Sequence, residues 1–255
     1  MTIERQHIIF DMDDTLIHCN KYFDLILDEF FDLLEGWFQD HGVTVEQIRS
    51  KQMEIDVAGV DKLGFASANF PQSLIDTYRY FCDLHSREIK LSEEEQLFKL
   101  GLSVYDQEVE PYPGMVETLD TLQNEGHRLY LYTGGETKIQ KRKIEQMKLA
   151  DFFEDRIYIR QHKNVKALEE ILSAGNFSRQ LTWMVGNSLR TDVIPALTAG
   201  INSIYIKQRR EWHYNLVELK QEPHNVLYTV SALTEVPEII AENTAAASDI
   251  VVPQR

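Results

Sequence analysis

Apolar residues along this chain fall into two rhythms. Six short runs, His7 to Phe10, Arg128 to Tyr132, Arg156 to Ile159, Leu181 to Val185, Ser203 to Ile206 and Val226 to Val230, are brief and rich in aliphatic and aromatic residues, which predicts strands. Between most of them apolar positions recur at helical spacing, over Gly114 to Glu125, Glu136 to Leu149, Val165 to Ala174 and Val193 to Ala199. Strands that alternate with crossover helices build a parallel sheet, so the expected class is α/β. Ile8, Ile9 and Phe10 form a continuous apolar run, as a central strand covered on both faces requires. Gly126, Gly175 and Gly200 sit where helices should stop and suit C-terminal caps.

From about Lys21 to Asp106 the rhythm changes to helices without intervening strands, which predicts an inserted helical lobe. Phe23, Ile26, Leu27, Phe30, Leu34, Trp37 and Phe38 share one helical face, with Asp24, Asp28, Asp32 and Glu35 on the other. Thr44 to Gln47 and Ser92 to Glu95 each fit a capping box, so two further helices are expected to begin there, and a fourth to run through Leu74, Tyr78, Phe81 and Leu84. The chain returns through Glu110-Pro111-Tyr112-Pro113-Gly114, a stiff connection suited to a hinge, and His18 and Tyr22, close after the first strand, are hinge candidates with no assigned role. Ala241 to Arg255, small and polar, is expected to be a flexible tail.

Composition narrows the function. With 26 Lys and Arg against 41 Asp and Glu, the formal net charge is −15, which argues against a nucleic-acid groove or an anionic membrane surface as partner. Cys19 and Cys82 are too few and too unpatterned for a disulfide framework or a zinc site. The first residues lack a signal-peptide pattern and no segment approaches membrane-spanning length, so a cytoplasmic protein is expected. Oligomeric state is not specified by any of these patterns.

The first strand runs directly into Asp11, Asp13, Asp14 and Thr15. In open α/β sheets ligands bind beyond the carboxyl ends of the strands, so this sequence delivers acids and a hydroxyl to that crevice, although Asp and Thr after a strand also fit an ordinary helix cap. Carboxylates this close call for a bound cation such as Mg²⁺ or for one raised pKa. Thr133 ends the second strand before Gly134 and Gly135, where a hydroxyl and unhindered N–H groups could grip phosphate oxygens or simply form a turn. Lys163 opens the helix after the third strand as a candidate counter-charge, with Lys166 as its competitor. Gly186 to Asp192 follows the fourth strand and offers Asn187 and Asp192 as oxygen ligands, with Asp192 equally able to cap the next helix. Lys207, Arg209, Arg210, Trp212 and His213 follow the fifth strand and fit either the crevice edge or a surface loop with Trp212 packed down.

Taken in order, Asp11/Asp13/Thr15, Thr133, Lys163 and Gly186 to Asp192 resemble the four signature motifs of the haloacid dehalogenase-like (HAD) hydrolase superfamily, over nearly the whole chain. The resemblance implies a Rossmann-like core from 1–18 and 107–255 with a helical cap at 19–106. It implies that Asp11 attacks phosphorus to form an aspartyl-phosphate, that Asp13 is general acid and base, and that Thr133, the Gly134 N–H and Lys163 hold the phosphoryl group. Mg²⁺ would be held by Asp11, the Asp13 carbonyl and the last motif, Asn187 and Asp192. Asp13 favours phosphoryl transfer over carbon–halogen cleavage. A phosphonatase would need a Schiff-base lysine from Lys21, Lys51, Lys62, Lys90 or Lys99, none of which has a distinguishing context.

The last motif commonly begins Gly-Asp, and this chain has Asn187 there, which keeps an oxygen donor and loses a charge. The expected function is Mg²⁺-dependent hydrolysis of a small phosphorylated metabolite. A phosphomutase sharing the first half-reaction and a non-catalytic HAD-like binding protein are the alternatives.

Overall fold

The structure, a computed structural model, describes residues 4–209, 211–219 and 225–248, the side chains of 245–248 excepted. Its elements run in order β1 (His7–Phe10), α1 (Asn20–Trp37), α2 (Val45–Leu63), α3 (Asn69–Leu84), α4 (Leu91–Ser103), α5 (Met115–Asn124), β2 (Arg128–Gly134), α6 (Thr137–Gln146), α7 (Ala150–Phe153), β3 (Ile157–Arg160), α8 (Val165–Ala174), β4 (Thr182–Gly186), α9 (Ile194–Thr198), β5 (Asn202–Ile206), β6 (Leu227–Val230) and α10 (Val236–Ser248). All pairings are parallel, in the spatial order β3-β2-β1-β4-β5-β6. The six apolar runs are therefore the six strands, within a residue or two at their ends.

The sheet explains why β1 is apolar throughout. Ile8 and Phe10 face one side with Leu129, Leu131, Trp183 and Val185, under Leu119 and Leu122 of α5, Phe153 of α7 and Val236 and Ile240 of α10. Ile9 faces the other side with Tyr130, Tyr132 and Met184, under Leu168, Ile171 and Leu172 of α8 and Ala196 of α9. Because β1 lies between β2 and β4, the chain order reverses beside it. That is the switch point at which a doubly wound sheet opens a crevice.

Helices α1 to α4 form their own apolar cluster, in which Phe30, Leu34 and Phe38 of α1 and its C-terminal end meet Ile48, Leu74, Tyr78, Phe81 and Leu97. Thr44 caps α2 as a capping box. Ser92 does not cap α4: the helix starts at Leu91, after Lys90, with no side-chain cap, so Ser92 already lies inside its first turn. Glu93 in that turn lies 2.7 and 2.8 Å from the two terminal nitrogens of Arg87 and accepts from the Tyr78 hydroxyl at 2.6 Å, a charge-assisted tie between the loop after α3 and the start of α4. Gly175 likewise has an ordinary right-handed φ, and Asn176 after it takes the left-handed turn.

The two chain crossings between sheet and helices run side by side. Ile17 bridges Pro111 in antiparallel fashion, the His18 N–H donates to the Glu110 carbonyl at 2.8 Å, and the His18 and Tyr112 rings lie 3.9 Å apart. Tyr22 reaches the same Glu110 through its hydroxyl at 2.8 Å. The stretch expected to be a flexible tail begins instead with helix, since α10 continues to Ser248: Val236 and Ile240 anchor its start in the core, and Ala241, Ala245, Ala246 and Ala247 are good helix formers. Residues 249–255 lie outside the described ones, as does Arg210.

Asn164 caps α8, its side chain accepting the Ala167 N–H at 3.0 Å, and so fixes where the helix after Lys163 begins. Its replacement by Ala is expected to lower unfolding free energy by about 1 kcal/mol, measured by urea titration.

Candidate active site

Asp11, the first residue past β1, is held in line by its N–H on the Val185 carbonyl at 2.9 Å and is 6% exposed. Its Oδ1 is 2.5 Å from the Lys163 ammonium, and its Oδ2 accepts from the Thr15 hydroxyl at 3.0 Å. Lys163 also pairs with Asp192, so one buried ammonium bridges two carboxylates. Burial works against its charge, yet Asp11 and Asp192 together raise its pKa above the ordinary value. Burial pushes the Asp11 carboxyl up to about 7, with Lys163 opposing the rise and Asp192 adding to it. Lys166, the competitor, is exposed.

Asp192 reaches this position through a π-helical turn, Leu189–Val193, whose extra residue folds the chain back on itself. Its Oδ2 accepts the Ser188 N–H at 3.0 Å and lies over Gly186, where a Cβ would stand only 2.3 Å away. No side chain fits at that strand end. Asn187 is buried, with its Oδ1 3.4 Å from the Thr15 hydroxyl, so Asn187 and Asp11 turn oxygens towards the same point. Asp14 takes φ +58°, tolerable for Asp, and its carboxylate accepts the N–H groups of Cys19 (2.9 Å) and Asn20 (3.0 Å) at the start of α1. Burial raises it to about 6.

Asp13 is gripped from α6, by two residues that the sequence did not single out. Lys143 Nζ is 2.7 Å from its Oδ1, and Gln140 Nε2 is 2.8 Å from its Oδ2, 2.7 Å from Thr133 Oγ1 and 2.9 Å from the Gly134 carbonyl. Burial disfavours the Lys143 charge, but Asp13 with Cys19 and Asp14 outweighs it and the pKa rises. In the run Lys138 to Lys143 four of six residues are basic. Only the position of Gln140 and Lys143 three apart, on the face turned to the strand ends, distinguishes them.

A cavity of about 370 Å³ opens over these groups. Asp11, Asp13, Gly134, Lys163 and Asn187 line it; Thr133 and Asp192 stand behind that lining. Its opposite wall comes from α1, α2, the α2–α3 loop and α3. That loop docks on the core: Gly64 and Phe65 approach Gln161, whose carbonyl accepts the Phe65 N–H at 2.9 Å, and Ser67 N–H and hydroxyl both donate to Glu136 at 2.8 Å. Phe65 lies against Gly134, where a Cβ would come within 2.6 Å of its ring. Trp212 and His213 line the cavity, so the loop after β5 edges the crevice, while Lys207 and Arg209 are exposed and outside the lining. Among the described residues, the lysines that line the cavity are Lys143 and Lys163; Lys21, Lys51, Lys62, Lys90 and Lys99 do not.

The donor set suits a hard cation. Asp11 and Asp192 share the single Lys163 ammonium, and Asn187 and the strand-end backbone add neutral oxygens. No three His, Cys, Asp or Glu side chains converge as a ready-made cluster among the described residues, because Asp13 is turned to Lys143 and Asp192 to Lys163 and Ser188.

A family model of the haloacid dehalogenase-like hydrolases matches residues 6–200, and the chain belongs to that family. It is similar to a glyceraldehyde 3-phosphate phosphatase of Pyrococcus furiosus, 25% identical over 242 residues that take in 91% of this chain and 90% of the relative. Among solved structures it is similar in fold to a haloacid dehalogenase-like hydrolase from Xanthomonas campestris, with a TM-score of 0.75 and 23% identity over 96% of this chain and 94% of that one. It is also similar in fold to Bacillus subtilis YfnB, a HAD hydrolase bound to magnesium, with a TM-score of 0.60 and 17% identity over 93% and 100%. The chain is thus a HAD-like hydrolase with phosphatase relatives. No helix of the described residues is long and apolar enough to cross a membrane.

Asp56 is 7% exposed, and burial raises its carboxyl from 3.8 to about 6 against the hydrogen bonds of Trp212 and Ser73. The folded state therefore holds a proton there that the unfolded state has released, and stability is lost as pH rises through that interval. Urea unfolding should show Asp56→Asn gaining on wild type between pH 4 and pH 6, with the difference constant above pH 7.

Proposed function

We propose that this chain is a Mg²⁺-dependent phosphatase that hydrolyses a small phosphorylated metabolite through an aspartyl-phosphate on Asp11. The observation that carries the reading is the Asp11–Lys163–Asp192 bridge at the end of β1, a carboxylate fixed by a buried ammonium and open to the cavity on its free side. Asp11 attacks phosphorus in line as the bond to the leaving oxygen breaks. Asp13, fixed by Gln140 and Lys143, gives its proton to that oxygen and then takes one from the water that hydrolyses the acyl phosphate. Gly134 N–H and Lys163 hold the phosphoryl oxygens. Thr133, whose hydroxyl accepts from Gln140, joins them or holds Gln140 in place.

Mg²⁺ would be held by Asp11, the Asp13 main-chain carbonyl and Asn187, with Asp192 directly or through its neighbours; when bound it supplies charge that lets an anionic phosphate approach buried carboxylates. The helices α1 to α4 act as the cap that closes the site and excludes water. Both cysteines are free thiols, in keeping with a reducing cytoplasm.

Inorganic phosphate release from an aryl phosphate, with Mg²⁺ and then with chelator, tests this reading. Release should require the metal, and Asp11→Asn should reduce it to background. A phosphomutase would label Asp11 without releasing phosphate, and a folded protein silent at every metal concentration would be a binding protein. Isothermal titration should show Mg²⁺ binding more tightly to Asn187→Asp than to wild type, since the substitution restores a charge; equal affinity would count against Asn187 as a ligand.

A further inference from the structure

The wall of the cavity opposite Asp11 is of unusual character for a site that takes a small polyol phosphate. Phe23 and Leu27 of α1, Met53 of α2, Phe65, Tyr105 and Trp212 all line it, and all are only partly buried, their remaining surface turned into the cavity. Their rings are braced and not free to collapse inward: Phe23 stands edge-on to Phe70 at 4.8 Å and to Tyr105 at 6.1 Å, and Phe65 is edge-on to Tyr214 at 6.0 Å. Polar residues share this wall, Asp24 and Arg49 near its α1 and α2 sides among them, and one polar group consists of buried side chains. Asn69 donates to the Asp56 carboxylate at 3.3 Å, and Gln52 beside them donates to Ser73 at 3.2 Å. Gln52, Asp56 and Asn69 all line the cavity.

Two ligand chemistries fit this wall poorly. A triose or other small polyol would lose water from several hydroxyls against Phe, Leu and Met side chains, with no partner for those left unpaired. A purely aliphatic chain would do the reverse, stripping water from Gln52, Asp56 and Asn69 with nothing in return. A flat ring with hydrogen-bonding atoms on its edge satisfies both, with faces against the aromatic side chains and edge towards the amide and carboxyl groups.

We infer that the group carrying the phosphate is a planar nitrogen heterocycle on a short arm, as in a nucleoside monophosphate, recognised between the Phe23 and Trp212 sides of the cavity with its polar edge at Gln52, Asp56 and Asn69. This rests on the phosphatase reading only for the position of the phosphate at Asp11. The test measures kcat/KM by phosphate release for uridine and adenosine 5′-monophosphates against glycerol 3-phosphate and glyceraldehyde 3-phosphate. It also measures calorimetric binding of the same four compounds to Asp11→Asn. At least one nucleotide should be preferred tenfold or more over both polyol phosphates, and Phe23→Ala should lower that ratio about tenfold, the loss of one stacking partner. Equal or better turnover of the polyol phosphates overturns the inference and leaves the phosphatase standing. No turnover of any compound, with nucleotide binding to Asp11→Asn intact, overturns the phosphatase reading and supports the inference; binding of none of the four overturns the inference.

Discussion

The Lys163 ammonium is the group on which the rest of the site depends. It is enclosed by Asp11 and Asp192, both nearly inaccessible to water, and removing it would leave two buried carboxylates facing each other. Breaking such a pair from one side costs about 3–5 kcal/mol, because the remaining charges stay buried without compensation. Three separate strand ends must therefore agree in register. Asp11 is set by β1, Lys163 by the end of β3 and the Asn164 cap, and Asp192 by the π-helical turn that passes over Gly186. Two carboxylates share the one ammonium.

A second level of organisation joins the helices to the sheet. The contact at Asp61 and Arg190, 3.5 Å apart between exposed side chains, contributes little in water. The loop between α2 and α3 contributes more, through the Phe65 ring on Gly134, the backbone bond to Gln161 and the two bonds from Ser67 to Glu136. These contacts fall on the last residue of β2, Gly134, and on the loops that follow β2 and β3, the second of which carries Lys163. Closing the cavity and setting its sheet-side edge are thus one packing problem. The two antiparallel chain crossings, tied at Ile17–Pro111 and His18–Glu110, join the helices to the sheet.

Asp13 and Lys143 show a limit of reading from one strand at a time. Asp13 was legible as a strand-end acid, but its partners stand on α6, one turn apart in a run of basic residues whose members look alike in sequence. Only the packing of α6 against the ends of β1 and β2 decides that Lys143 turns to Asp13 while Lys138 and Lys141 face water and Arg142 turns to the Tyr105 carbonyl. The same holds for Trp212, which sequence places either on a surface loop or at the crevice; it lines the cavity together with Asp56, 156 positions earlier in the chain.

What the sequence alone determined is what local rules control. Runs of apolar residues dictate strands, helical periodicity dictates the crossovers and the four-helix stretch, and Asp11, Thr133, Lys163 and Asp192 announce themselves because each follows a strand that must be buried. Where local rules compete with distant partners, the sequence was an unsafe guide: the helix expected to be capped at Ser92 begins at Leu91 with no side-chain cap, and the polar start of the final stretch became helix because Val236 and Ile240 had a core to enter. The tertiary structure alone decided which oxygens meet which ammonium, which aromatic rings face the cavity, and that Asn187 and Asp11 look towards one point. Charge pairing and cavity shape act through space over a few ångströms, between residues separated by up to 170 or more positions along the chain, and no local pattern of residues encodes that distance.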